Sequence, residues 1–123
     1  MRTNGVVMAT TQRKRARTLS PSIGTMTTVE LTRFKVPADR ADELLQARTA
    51  MLADFREDRE GFLDAQLIRV DDETWLDIVW WRSSGDFAAS REKGANLPGI
   101  KAFFAPITEL ISAEEGTTSD YRA

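Results

Sequence analysis

Thr74–Arg82 reads TWLDIVWWR, and its alternation decides the fold. As an extended strand, one side carries Trp75, Asp77, Val79 and Trp81, and the other Leu76, Ile78 and Trp80. Both sides are largely apolar, whereas a sheet side that meets water would be mostly polar. Three tryptophans within seven residues make wetting either side costly, at about 25 cal/mol per Å² of apolar surface. The strand therefore needs cover on both faces.

Working outward, Phe62–Val70 (FLDAQLIRV) is a second β-rich run, separated from the first by Asp71-Asp72-Glu73. So short an acidic connection predicts a hairpin with antiparallel pairing. Upstream, Thr28–Val36 (TVELTRFKV) reads as a strand stopped by Pro37. Pro37 and Asp39 then open a helix whose stripe is Ala41, Leu44, Leu45, Met51, Leu52 and Phe55, closed by the charged stretch Arg56–Glu60 and Gly61. Downstream, Ser83-Ser84-Gly85-Asp86 supplies cap chemistry for a second helix that breaks at Gly94 and at Pro98-Gly99. A short helical piece through Ile100, Phe103 and Phe104 ends before Pro106. Ile107, Leu110 and Ile111 would continue a helical stripe, but Pro106 and the composition of Leu110–Gly116 favour a final strand, with the residues from 118 onward frayed. The order β-α-β-β-α-β predicts an α+β, ferredoxin-like domain over residues 27–117: a four-stranded antiparallel sheet with its helices on one face. A second copy is the simplest cover for the other face, so a homodimer is expected.

Composition narrows the chemistry. The chain of 123 residues suits one domain, and no apolar run is long enough to span a bilayer. There is no cysteine, which removes thiolate nucleophiles and Cys-ligated metals. There is no histidine either, which removes Ser-His-Asp chemistry, a proximal haem ligand and imidazole metal sites. A hard-metal site built from carboxylates alone stays open, but no Asp-x-Asp-x-Asp-Gly run supports one, and no metal is expected. The first 26 residues are rich in Thr, Ser, Gly and Arg and read as a disordered basic tail; the rest of the chain is acidic, which argues against nucleic acid as a partner of the domain. No apolar h-region follows the tail's charges, so it is not read as a secretory signal, and a cytoplasmic location is expected. Met26, directly before the first strand, is a candidate start.

With these elements in place, Thr27–Gly116 resembles the antibiotic biosynthesis monooxygenase family of dimeric α/β barrels. The resemblance is carried by VELTRFKV (Val29–Val36), the helix ADELLQARTAMLADFRED, Gly61-Phe62-Leu63 at the second strand, WLDIVWWR (Trp75–Arg82) with Ser83–Phe87, and PGIKAFF (Pro98–Phe104). It implies a monooxygenase acting with molecular oxygen, without a cofactor, on a small aromatic substrate of polyketide or quinol type. The family's haem-degrading branch uses a first-strand asparagine and an axial histidine. Here the first-strand position corresponds to Thr32 and the chain has no histidine, so that branch is disfavoured. A non-catalytic dimeric binder of a small hydrophobic molecule, or a polyketide cyclase or aromatase, would use the same pocket.

Two charged residues stand out. Arg48 falls within the apolar stripe of the first helix; either its stem packs and its head reaches the helix edge, or it is a buried donor to a substrate oxygen or a sheet carboxylate. Asp77 lies mid-strand between Leu76 and Ile78; either it is a desolvated general base, or it pairs with Arg33, Arg69 or Arg82. On the catalytic reading Asp77 is the base and Arg48 the oxyanion donor. Trp75, Trp80 and Trp81 are candidate stacking surfaces for a flat substrate, or else core and interface. Thr32, Arg33, Asp64, Gln66 and Phe103 complete the candidate substrate contacts.

Overall fold

The computed structural model describes residues 26–121. Strand β1 (Thr27–Lys35) leads through a 3-10 turn at Ala38–Arg40 into helix α1 (Ala41–Asp58). Strands β2 (Phe62–Arg69) and β3 (Thr74–Trp81) follow as a hairpin, then helices α2 (Ser84–Lys93) and α3 (Pro98–Phe104), then strand β4 (Glu109–Thr118). The strands make one antiparallel sheet in the order β2-β3-β1-β4. This is the expected α+β ferredoxin-like arrangement, and the last element is a strand. Most of the expected tail, residues 1–25, lies outside the described residues.

Local chemistry sets the joints. Asp71 shapes the β2–β3 turn, its Oδ1 accepting from the backbone N–H of Glu73 at 3.0 Å and of Thr74 at 2.8 Å. Those bonds, that from Glu73 first, hold its carboxyl below the usual range. Ser83 caps α2, its Oγ accepting from the Asp86 N–H at 3.1 Å. Pro98 sits in the first turn of α3, where a missing N–H costs nothing, so Pro98-Gly99 starts a helix as well as breaking one. A Cβ at Gly99 would lie 2.6 Å from the Ala50 backbone, so glycine lets α3 pack this closely on α1. Gly61 turns the chain into β2 at φ 83°, a conformation that favours glycine.

The helices cover one sheet face. Phe34 of β1 and Trp75, Val79 and Trp81 of β3 pack there against Leu44, Met51 and Phe55 of α1, Phe87 of α2, and Ile100 and Phe103 of α3. Trp81 is fully buried, stacked on Phe87 at 6.0 Å and flanked by Phe55 and Phe62. Leu45, which the sequence stripe assigned to the core, is 47% exposed. One residue beyond buried Leu44, it is turned about 100° away from the line of contact.

Two charged or terminal segments behave differently from expectation. Arg59, part of the charged stretch expected to end the first helix, is buried. Its guanidinium donates to Ser90 Oγ at 2.7 Å, Gly94 O at 2.6 Å, and Asn96 Oδ1 and Asp58 Oδ2 at 2.8 Å each, tying the end of α1 to the α2–α3 loop. At the C-terminus, β4 runs on to Thr118 because Thr117 and Thr118 pair with Thr28 and Thr27. Beyond it the Tyr121 ring lies 5.7 Å from that of Trp80, on the face away from the helices. Desolvation there, with Asp64 nearby, raises the Tyr121 hydroxyl's pKa.

Candidate active site

The sheet register sorts the candidate residues onto two faces, since directly paired residues point the same way. Glu30 pairs with Val79, Thr32 with Asp77 and Phe34 with Trp75, so all six face the helices. Arg33 pairs with Leu76, Asp64 with Trp80 and Gln66 with Ile78, so these face away from them.

A cavity of about 380 Å³ lies between the helices and the inner face of β1, β3 and β4, a size typical of small-molecule sites. Met51 and Phe55 of α1, Phe103 and Phe104 of α3, Ile107 and Leu110 supply much of its apolar wall. Glu30, Thr32 and Asp77 are the polar groups on its sheet side. Phe104, Leu110 and Ala113 line it and are also exposed, so the cavity reaches the surface between α3 and β4.

Asp77 and Arg48 meet each other. Arg48 reaches down from α1 and donates from its two terminal nitrogens to the two oxygens of Asp77, at 2.7 and 2.8 Å. Both side chains are only 11% exposed, and the guanidinium also lies 5.2 Å from the Phe103 ring centre. Arg48 is thus the buried donor to a sheet carboxylate. The sheet arginines considered as partners for Asp77 bind elsewhere: Arg33 is on the opposite face, Arg69 donates to the Asp72 carbonyl and lies over Trp75, and Arg82 pairs with Asp86 and Glu60. Sheet parity compares strands with strands and is blind to a side chain arriving from a helix, which explains the different partner.

Glu30 is the acidic residue that sequence reasoning passed over. Its Oε1 accepts from the Trp81 indole N–H at 3.0 Å and its Oε2 from the Thr32 hydroxyl at 3.5 Å, and neither donor is charged. Desolvation raises its carboxyl above the ordinary value of 4.5, Asp77 adds to the rise, and the indole bond opposes it. The available signal was parity: Glu30 alternates with Thr32 and Phe34, placing it on the inner side of a central strand.

The tryptophans stand outside the cavity wall. Trp75 and Trp81 are core, Trp75 with its indole N–H unpartnered among the described residues, and Trp80 is on the outer face against Tyr121. Trp81 reaches the cavity's chemistry through its bond to Glu30. Of the candidate substrate contacts, Thr32 and Phe103 line the cavity, while Arg33, Asp64 and Gln66 do not. Among the described residues no acidic cluster is arranged to hold a metal ion, and no helix is long and apolar enough to cross a membrane.

Comparison with known proteins agrees with this architecture. Similar folds include a mutant form of SnoaB of Streptomyces nogalater, a cofactor-independent oxygenase: 21% identity, 79% of this chain and 95% of that one covered, TM-score 0.54. A candidate antibiotic biosynthesis monooxygenase of Bordetella bronchiseptica gives 11% identity, 78% and 98% coverage and a TM-score of 0.61. One from Chloroflexus aurantiacus gives 16%, 79% and 97%, and 0.57. No curated protein sequence matches the chain. The model of the antibiotic biosynthesis monooxygenase family matches residues 27–106, which hold β1 to α3 and both halves of the Arg48–Asp77 pair. The chain belongs to the antibiotic biosynthesis monooxygenase family.

Proposed function

We propose that the protein is a cofactor-independent monooxygenase that oxidises a small aromatic compound of polyketide or quinol type with molecular oxygen. One observation carries this reading: Glu30, a carboxyl with a raised pKa and only neutral donors, lines a largely apolar cavity open to the surface. A desolvated carboxylate held only by neutral donors is suited to act as a general base toward a phenolic or benzylic proton. The resulting electron-rich anion transfers one electron to oxygen, and the two radicals combine to a peroxide anion, which takes the proton back from Glu30 to become a hydroperoxide. Loss of water leaves a carbonyl. One oxygen atom enters the product, the other leaves as water, and all the electrons come from the substrate. The absence of Cys and His from the whole sequence agrees with a route in which the substrate itself reduces oxygen.

In this mechanism Glu30 is the base, in place of the Asp77 expected from sequence. Arg48 holds Asp77 in place, and Asp77 forms part of the polar wall beside it. Thr32 supplies a hydroxyl next to Glu30, and Phe103 an apolar face. Two copies pack through the outer sheet faces, where Leu76, Ile78 and Trp80 are only half-buried in the single chain. Sedimentation as a stable monomer at micromolar concentration would remove the dimer.

The test is oxygen consumption with a panel of naphthols, anthrones and hydroquinones. Uptake stoichiometric with quinone formation, slowed about 10²- to 10⁴-fold by Glu30→Gln, is the expected result. Saturable binding of these compounds with no oxygen uptake would sink the oxygenase reading and favour a binder or a cyclase.

A further inference from the structure

The cavity's charges are lopsided. Among the described residues its lining includes two carboxylates, Glu30 and Asp77, and no basic side chain. Arg48 balances Asp77 with two bonds. Among the described residues no basic side chain bonds to Glu30. Its hydrogen-bond donors are neutral, and the charged groups around it are engaged elsewhere. On β3 it meets Asp77, already paired. On β4 its register partner is Glu115, another acid, bonded to Ser84. From α2 comes Arg91, whose guanidinium lies over the Phe87 ring at 4.6 Å and whose pull on Glu30 is the weakest of the influences acting there.

A ligand entering this space therefore meets acceptors and, among the described residues, no cation. A hydroxyl can donate to Glu30, while a ligand carboxylate would place a second anion beside it, out of water and without a counter-charge. Taking the cavity as the substrate site, as proposed above, we infer that it selects uncharged, hydroxyl-bearing aromatic compounds and rejects their carboxylated analogues, with Glu30 as the residue that sets the discrimination. Substrate for this protein must then have lost, or have masked as an ester or amide, any carboxylate carried by its precursor.

A matched pair of probes tests this without turnover. Methyl 6-hydroxy-2-naphthoate and 6-hydroxy-2-naphthoic acid share ring and hydroxyl and differ in charge at pH 7.5. Calorimetric titration of the full chain under nitrogen should give tighter binding of the ester by at least about tenfold. Glu30→Gln, nearly isosteric, should close most of that gap. Ala113→Lys, at an exposed position of the lining, supplies the missing cation and should strengthen binding of the acid about tenfold. Equal binding of both compounds to the native protein overturns the inference and leaves the oxygenase reading standing, as does a gap that survives in Glu30→Gln. Binding of neither compound overturns the cavity as the ligand site, and the inference with it. Discrimination that persists with no oxygen uptake from any substrate supports the inference and removes the oxygenase reading alone.

Discussion

Two carboxylates lie on the same inner face of the same sheet, on adjacent central strands, and live in different electrostatic worlds. Asp77 is clamped by a guanidinium at 2.7 and 2.8 Å. Glu30 is held by an indole and a hydroxyl, at 3.0 and 3.5 Å. The first arrangement engages both carboxylate oxygens with a cation; the second leaves the carboxyl with neutral donors only. The comparison teaches that burial alone does not make a catalytic base. What matters is burial with neutral donors, because a cationic partner satisfies the anion that catalysis needs to keep reactive.

The largest effect should come from the pair of isosteric amides. Glu30→Gln is expected to lower the rate of oxygen uptake by about 10²- to 10⁴-fold, with binding of neutral ligand weakened far less. Asp77→Asn should act mainly on stability. A larger rate loss for Asp77→Asn than for Glu30→Gln, measured with an oxygen electrode, would reverse the assignment.

Next in size is the cost of orphaning one half of the clamp. Arg48→Met leaves Asp77 buried without its partner and should destabilise the fold by about 3–5 kcal/mol in urea unfolding. The double variant Arg48→Met/Asp77→Leu should recover most of this loss. If the single variant costs under about 1 kcal/mol, the pair behaves like a surface bridge and not a buried clamp.

A smaller effect is expected at the donor to Glu30. Trp81→Phe removes the indole N–H and leaves a gap in the core, at about 1–3 kcal/mol of stability. Its more telling consequence is on the pH–rate profile. With one donor to the carboxylate gone, the rising limb should move to higher pH. A profile that stays in place would mean the indole does not tune Glu30.

The smallest effect is on stability against pH. A carboxyl whose folded pKa is raised binds its proton more tightly in the folded chain. Its contribution is therefore complete below the ordinary value of 4.5 and is lost as pH rises through the raised value. Melting temperatures of the native chain and Glu30→Gln should draw apart in the variant's favour over that rise. Parallel curves would place Glu30 in water.

Much of the fold was legible in residues 27–116. Phe62–Arg82, with its acidic turn, predicts the hairpin that forms, and Ser83–Asp86 predicts the cap. Apolar periodicity identifies Leu44, Met51 and Phe55 as buried. The misses share a cause. Leu45, Arg59 and Tyr121 each depend on which surface lies opposite, and periodicity along one element says nothing of that. The burial of Arg59 is not written locally, because three of its four acceptors come from residues 31 to 37 positions away.

By itself, then, the sequence determined the kinds and order of the elements, and it removed thiol and imidazole chemistry, since each is written in local composition and spacing. Only the tertiary structure decided that Arg48 answers Asp77, that the tryptophans stay out of the cavity wall, and that Glu30 is bonded there, among the described residues, by neutral donors alone. Electrostatic roles depend on distances of a few ångströms between residues remote in the chain, and those distances exist only once the helices have packed on the sheet.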